Sequence, residues 1–205
     1  MAVPITKEIY AMAVKLSQVE CILKYPDLHM EKRSKQRAKQ FTVSVNQDFV
    51  QVVEKCVKVK GENWLCAPLR RSFIEIHRNP HLYGPKLISF EVWEGDNLVA
   101  GELGHVIGKI YTSLTGFYER TGTGTIQLCA TGQLLHEAGI EIWDFEMSHP
   151  YKLAIGAKEI PRETWIQLHK EYRQFPSPDL TQGKSNAQAV LSKVPHKQQG
   201  PALQQ

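Results

Sequence analysis

The sequence predicts one α+β (α/β) domain, built on a mixed, twisted sheet that is flanked by helices. The first observation is the period-2 alternation of residues 87–99, interrupted by Gly95-Asp96-Asn97, which is typical of an antiparallel hairpin. The second is the alternation of predicted strands and helices around this hairpin, which favours a sheet covered by helices. The third is the length of 205 residues, enough for one domain with a sizeable core.

The N-terminal stretch 6–24 is predicted to be a helix that ends at Tyr25-Pro26. Its apolar residues recur at spacings of three and four and form one narrow stripe: Ile9, Met12, Leu16, Val19 and Leu23. Two interpretations stay open. Either the stripe packs on its own domain, or the 9–23 helix is a seam for a protein partner.

The segments that follow are predicted to supply the sheet and its helices. The predicted strands cover 41–45, the hairpin, 109–115 and 141–147. The predicted helices begin at Asn46 or Asp48, Pro68, Thr125 and Pro161, and end near residues 58, 79, 138 and 172.

The composition of the C-terminal segment predicts a polar tail. From Phe175 onward Pro, Ser, Gln, Lys and Gly dominate, so this segment is not expected to pack by itself, apart from a short turn at 187–194. We therefore expect a helix and basic segment at 1–40, the sheet domain at 41–174 and a flexible tail at 175–205. The tail is a second candidate surface for a protein partner.

The net charge of +4 is concentrated near the N-terminus. Residues 1–40 hold eight Lys or Arg against four Asp or Glu, whereas the remainder holds seventeen of each. Five of the cations fall within eight residues: Lys32, Arg33, Lys35, Arg37 and Lys39. Such a basic run can bind nucleic-acid phosphates with salt-dependent affinity, or it can simply be a solvated face.

Several other protein classes are disfavoured. No stretch approaches the roughly 20 apolar residues of a membrane span, and the N-terminus has no apolar signal-peptide core. The four cysteines are widely spread, which favours free thiols in a reducing, cytoplasmic compartment. His77 and His81 have helical ligand spacing, but Pro80 lies between them and no third ligand is near, so we expect no metal.

Glycines after the hairpin turn mark a special strand. Gly101, Gly104 and Gly108 indicate either a strand opened for a ligand or a sharply twisted core strand. We expect the sheet to splay beside residues 102–105.

Ordered motifs between about residues 64 and 165 resemble those of one family. They comprise Trp64, His77, Gly84, Ser89-x-Glu91-x-Trp93, Gly95, Leu98-Val99-x-Gly101, Gly104, Gly108, Phe117, Asp144, His149 and Gly156-Ala157-x-x-Ile160-Pro161-Arg162. The pattern resembles that of the bacterial leucyl/phenylalanyl-tRNA–protein transferases, and the order of elements resembles the acyltransferase fold of the GNAT superfamily.

This resemblance implies an activity and its partners. The activity is transfer of an aminoacyl group of the Leu/Phe class from aminoacyl-tRNA to the N-terminal amine of an acceptor protein. It needs no covalent enzyme intermediate and no cofactor. The resemblance also implies that the basic run faces the 3′ region of the tRNA.

The chain departs from the family's pattern in the pocket. Leu103 stands where the family usually has an aromatic residue, Leu114 replaces an acidic residue, and Glu146 replaces a glutamine. Most of the family's N-terminal domain is also missing from the sequence. The resemblance and these departures imply a site that is more apolar than the family's. It is bounded by Trp93, Leu103, Leu114, Phe117, Asp144 and Glu146.

Asp144 and Glu146 are the candidate catalytic residues. They alternate on one predicted strand, so their side chains point to the same face within about 7 Å of each other. Two such carboxylates raise the pKa of one of them, which suits a base for an amine. In a second interpretation both face solvent, because Phe145 and Met147 are the likelier core side.

Three functions are compatible with these residues. The first is an aminoacyl-tRNA-dependent transferase. The second is a catalytically degenerate GNAT-like module that binds within a larger assembly, which Leu103 and Leu114 favour. The third is an acyl-CoA-dependent N-acetyltransferase that binds pyrophosphate at Gly122 and Gly124. Glu119 disfavours the third, because it would repel phosphate.

Overall fold

The structure, a computed structural model, describes residues 2–4, 12–14 and 17–196. The strands are β1 (Ala2–Pro4), β2 (Met12–Val14), β3 (Val19–Leu23), β4 (Thr42–Val45), β5 (Lys86–Glu94), β6 (Asn97–Ile107), β7 (Ile110–Tyr118), β8 (Ile142–Glu146), β9 (Lys158–Pro161) and β10 (Gln182–Asn186). The helices are α1 (Lys32–Arg37), α2 (Phe49–Lys60), α3 (Ala67–Arg78), α4 (Thr123–Glu137), α5 (Pro150–Leu153), α6 (Arg162–Tyr172) and α7 (Ala187–Ser192), with short 3-10 turns at Ala38–Gln40 and Pro80–Leu82.

Among the described residues the main sheet has eight strands, in the order β10-β4-β5-β6-β7-β8-β3-β9, and β1 pairs with β2. Strands β7 and β8 are parallel, and the other neighbouring pairs are antiparallel. Helices α4 and α7 pack on one face of the sheet, and α2, α3 and α6 pack on the other. The predicted α+β class, with a mixed sheet flanked by helices, is confirmed.

The predicted hairpin is confirmed as β5 and β6, and β7 extends it into the centre of the sheet. Its glycines make room for packing. A side chain at Gly104 would lie 2.3 Å from the ring of Tyr111, and one at Gly101 would lie 3.0 Å from the ring of Phe117. These contacts favour a core strand over a strand opened for a ligand at β6.

Helix α2 resolves the choice between two predicted caps. The side chain of Asp48 accepts a hydrogen bond from the N–H of Gln51 at 2.9 Å, so Asp48 is the N-cap. The side chain of Asn46 instead donates to the carbonyl of Leu180. The predicted buried side of this helix is confirmed at Phe49, Val52, Val53 and Cys56.

The predicted N-terminal helix is wrong where the structure describes it. Residues 12–14 form β2, and residues 19–23 form β3, which pairs with β8 and β9. Ile9 and Leu16 lie outside the described residues. Cys21 and Leu23 pack on the α4 face while Ile22 packs on the α6 face, so both sides of β3 are buried and its apolar spacing only mimics a helix. Residues 19–23 therefore cannot form a helical seam for a partner.

The expectation that the chain does not pack beyond Phe175 is also wrong for much of that segment. Strand β10 pairs with β4 at one end of the sheet, and α7 packs against α4. A few apolar side chains are enough to bury this segment, namely Leu180, Val190, Leu191 and Val194. The prediction of a short turn at 187–194 is confirmed as α7. Residues 197–205 lie outside the described residues.

Strands β7 and β8 part shortly after they pair. They are joined by α4 and pair over three residues, the last pair being Thr112 with Asp144. Beyond this pair β7 continues beside β6 to Tyr118, whereas β8 ends at Glu146. We call this place the β7/β8 opening. The splay expected beside residues 102–105 is wrong, because β6 stays paired with β7 there through a bulge.

Candidate active site

Four of the predicted pocket residues lie together in one apolar cluster. Trp93, Leu103 and Phe117 are buried on the α2 and α3 face, and Leu114 is half-buried against the same cluster. Asp144 and Glu146 belong to β8, beside the β7/β8 opening.

The Ser-x-Glu-x-Trp motif forms a closed hydrogen-bond network within this part of the sheet. The carboxylate of Glu91 accepts hydrogen bonds from the hydroxyls of Ser89 and Ser44, the latter at 2.6 Å. The indole N–H of Trp93 donates to the Ser44 hydroxyl at 2.7 Å. Burial raises the pKa of Glu91. The motif therefore has a structural role, since its polar atoms satisfy one another inside the core.

Asp144 is a buried carboxyl with two hydrogen-bond partners. Its Oδ2 accepts a hydrogen bond from the hydroxyl of Thr112 at 3.1 Å, and its Oδ1 accepts one from the N–H of Glu146 at 2.8 Å. Burial raises the pKa of Asp144 to about 7, and the nearby carboxylates of Glu146 and Glu20 act in the same direction. The solvent-facing interpretation is therefore wrong for Asp144. Phe145 is buried as expected, whereas Met147 is exposed.

Glu146 occupies an unusual backbone conformation. Its φ is +59°, in the left-handed region that residues other than glycine rarely adopt. The N–H of Met147 donates to the carbonyl of Phe145 at 2.7 Å, which closes a three-residue γ-turn around Glu146. The Glu146 side chain is half-buried, and burial raises its pKa. Because backbone strain of this kind concentrates at functional sites, Glu146 stands out from the rest of β8.

Two charged groups near the opening were not predicted from the sequence. Lys152, on α5, is buried, and its ammonium donates to the carbonyls of Phe145 at 3.1 Å and Met147 at 2.8 Å. Desolvation lowers the pKa of Lys152, while Cys21, Glu102, Glu146 and Asp144 act against that shift. No pattern in the sequence marks it, since a lysine on a short polar segment normally points to solvent.

The second missed group is Glu102, on the α4 face of β6. Its carboxylate accepts hydrogen bonds from Ser113 at 2.6 Å, Tyr111 at 3.0 Å and Gln127 at 3.1 Å. Burial raises the pKa of Glu102. A charged residue within an otherwise apolar central strand was the sequence signal available for it.

The rim of the opening exposes large apolar and aromatic side chains. Tyr118 ends β7, and Met147, Tyr151 and Leu153 follow β8; all four are exposed. The pKa of Tyr151 is raised by its partial burial, by Glu102, by Cys21 and by Tyr118. The opening thus combines titratable groups with an apolar rim, a combination that suits a substrate-binding site.

The basic run forms α1 and the 3-10 turn after it. Lys32, Arg33, Arg37 and Lys39 are exposed. Lys35 differs, because it is half-buried and its ammonium donates to the carbonyl of Val194.

The predicted glycine loop before α4 is filled by the chain's own side chains. Gly122 has φ +88°, and Tyr118 lies 3.2 Å from where a side chain at Gly124 would begin. Glu119 pairs with Lys55, and Arg120 pairs with Glu94.

Among residues 2–4, 12–14 and 17–196, no group of three His, Cys, Asp or Glu side chains could hold a metal ion. His77 donates from Nδ1 to the carbonyl of Leu87 at 2.9 Å and stacks on Phe49. No helix within these same residues is long and apolar enough to cross a membrane.

Comparisons with known proteins identify the relatives of this chain. The family model for leucyl/phenylalanyl-tRNA protein transferase matches residues 22–170. The leucyl/phenylalanyl-tRNA–protein transferase of Shewanella piezotolerans is 27% identical over 136 residues, which cover 65% of this chain and 56% of the relative. That of Xanthomonas axonopodis pv. citri is 28% identical over 139 residues (66% and 54%), and that of Novosphingobium aromaticivorans is 27% identical over 180 residues (84% and 66%). The chain thus spans between half and two thirds of the length of these curated relatives.

Proposed function

Because the chain belongs to the leucyl/phenylalanyl-tRNA protein transferase family, we propose that it moves an aminoacyl group of the Leu/Phe class from tRNA to the N-terminal amine of an acceptor protein. In this reaction the amine attacks the ester carbonyl of the charged tRNA. The amine loses a proton, and the 3′-oxygen leaves with one. Catalysis therefore needs a base for the amine and stabilisation of the oxyanion.

The observation that carries this proposal is the pair Asp144 and Glu146 at the β7/β8 opening. Glu146 is the proposed base, because its carboxylate is half-buried and its raised pKa lies closer to neutral pH. Asp144 is fully buried and hydrogen-bonded to the backbone N–H of Glu146, so its proposed role is to orient that residue.

Three further groups of residues form the proposed substrate sites. Trp93, Leu103 and Phe117 form the apolar backing of the aminoacyl site, and half-buried Leu114 is their proposed point of contact with substrate. The exposed cations of the basic run bind the tRNA phosphates in this proposal. The acceptor's N-terminus enters along the apolar rim of the opening.

We propose a GNAT-like arrangement for the sheet domain, to which β3 and β10 belong besides residues 41–174. The support is the parallel pair β7 and β8, which α4 connects and which parts after three residues. Such a gap between two strands leaves space for an acyl donor and an acceptor to meet. Charged tRNA and nascent acceptors are cytoplasmic, so the proposed place of action is the cytoplasm.

The test is transfer by the purified chain. It is incubated with leucyl- or phenylalanyl-tRNA and a peptide that has an N-terminal Arg or Lys, and the peptide is scored by mass. We expect one added Leu or Phe residue, and no addition to the same peptide with an acetylated N-terminus. Failure of the natural chain with every charged tRNA tested would overturn the proposal and favour a catalytically degenerate binding module.

A further inference from the structure

We propose that Lys152 is a positioning residue that holds the left-handed turn at Glu146 and so aims the Glu146 carboxylate at the β7/β8 opening. The catalytic consequence of this inference rests on the proposed function, whereas its structural part does not. Lys152 belongs to the short helix α5. This helix begins at Pro150, four residues after β8 ends at Glu146.

The backbone at Glu146 is a conformation that needs support. At a φ of +59°, a residue that has a side chain is higher in energy than in its ordinary conformations. The γ-turn closed by the N–H of Met147 and the carbonyl of Phe145 adds a single hydrogen bond of 2.7 Å. Something outside the turn must therefore keep it in place.

Two side chains supply that support from opposite sides. Asp144 accepts the hydrogen bond from the N–H of Glu146 at 2.8 Å. The ammonium of Lys152 donates to the carbonyls on both sides of Glu146, at 3.1 Å to Phe145 and 2.8 Å to Met147. Hydrogen bonds from a charged donor are stronger than those between neutral groups. The carboxylate of Asp144 and the ammonium of Lys152 thus hold the peptide group between Phe145 and Glu146 from both of its polar ends, and Lys152 also holds the peptide group that follows Met147.

The ammonium of Lys152 binds these two carbonyls rather than a carboxylate. None of the ion pairs within 4 Å among the described residues includes Lys152, although Asp144, Glu146 and Glu102 lie near enough to affect its charge. Its ammonium also lies 5.3 Å from the centre of the Phe145 ring, which packs in the core. The charged group of this buried lysine thus binds the backbone of one turn. We infer that its role is to hold that turn.

The backbone of α5 is itself held in place. Its carbonyl at Lys152 accepts hydrogen bonds from the N–H groups of Ile155 and Ala157, each at 3.2 Å. Gly156 lies so close to Asp27 that a side chain there would meet the Asp27 carbonyl at 2.0 Å. The lysine is therefore presented from a fixed loop.

The structural test is amide hydrogen exchange, measured residue by residue by NMR in the full chain. Lys152→Met keeps the apolar stem and removes the ammonium. We expect exchange at the amides of Glu146 and Met147 to accelerate by about tenfold or more, while amides in β5 and β6 stay unchanged. Lys158→Met is the matched control, because Lys158 is an exposed lysine nearby that pairs with Asp27. Unchanged exchange at both turn amides would overturn the inference.

A second pair of variants keeps the test decisive if Lys152→Met does not fold. Lys152→Arg keeps a charged donor, whereas Lys152→Gln keeps only a neutral one of shorter reach. We expect Lys152→Arg to retain protection of the two amides and Lys152→Gln to lose much of it. Equal protection in the two variants would overturn the role of the charge.

The kinetic test separates positioning from general damage. If the natural chain transfers aminoacyl groups, Lys152→Met should lower kcat much more than it changes KM. Because Lys152 lowers the pKa of Glu146, its removal should also move the acid limb of the pH–rate profile to higher pH. An unmoved acid limb with an unchanged kcat would overturn the catalytic consequence. A natural chain without transfer activity would overturn the proposed function instead, and the exchange result would still stand.

Discussion

Glu91 and Asp144 are both buried carboxyls of one sheet, yet their surroundings differ. Glu91 lies on β5 beside β4, where two serine hydroxyls satisfy its oxygens and connect it to Trp93. Asp144 lies where β7 and β8 part, next to a strained turn and a half-buried second carboxylate.

The difference teaches that burial and a raised pKa do not by themselves mark a catalytic group. Burial raises the pKa at both sites. Glu91 is closed in by its own network, so substrate cannot reach it. Asp144 lies two residues before Glu146, whose side chain is partly open to solvent. Access and backbone strain therefore separate the functional candidate from the structural one.

The largest expected effect is on transfer activity at Asp144. Asp144→Ala removes the oxygen that accepts from the N–H of Glu146, and with it the contact that orients the proposed base. We expect kcat to fall by roughly 10²-fold, as is usual when a catalytic group is misplaced by about 1 Å. Steady-state kinetics with charged tRNA measures this. A variant as active as the natural chain would make Asp144 another structural carboxyl like Glu91.

The next effect is on folding at Glu91. Glu91→Ala removes the acceptor of the Ser44 and Ser89 hydroxyls and leaves a cavity. We therefore expect the free energy of unfolding to fall by about 3 kcal/mol. Urea denaturation measures this loss. Glu94→Ala, which removes a partly exposed carboxylate on the same strand, is the control and should cost less than about 1 kcal/mol. Equal losses in the two variants would contradict the closed-network interpretation.

The pH dependence of stability should reveal the raised pKa of Asp144. The pKa of Asp144 is raised from 3.8 to about 7, so the folded state binds its proton more tightly than the unfolded chain does. Its contribution to stability is fully present below about pH 4 and is lost as the pH rises through about 7. Asp144→Asn should remove this decline between those values. Parallel stability curves for the variant and the natural chain would contradict the shifted pKa.

The smallest expected effect concerns the basic run. Lys32, Arg33 and Lys39 are exposed, so changing all three to Ala should weaken tRNA binding and reduce its salt dependence by about one unit of slope for each phosphate that is no longer neutralised. Lys35→Ala is the contrasting variant, because its ammonium is bonded to Val194. It should lower stability with little change in slope. Unchanged affinity and slope in the triple variant would make the run a solvated surface.

Most elements of the central sheet were predictable because their patterns are local. The alternation in β5 and β6, the cap at Asp48 and Pro68 at the start of α3 each follow from a few neighbouring residues. The predictions for the two ends of the chain failed for the opposite reason. β3 is held between β8 and β9, and β10 by β4, so partners far along the sequence decide their structure.

The sequence by itself determined the fold class, the family motifs and the candidate pair Asp144 and Glu146, since strand periodicity and motif spacing are written in residue order. Only the tertiary structure decided which groups those residues contact. It packed Trp93 and Leu103 into one apolar cluster, and it joined the Ser-x-Glu-x-Trp motif into a hydrogen-bond network in the core. It also brought Lys152 onto the backbone around Glu146. The physical reason is that burial, pKa shifts and backbone strain arise from groups that meet only when strands and loops pack together.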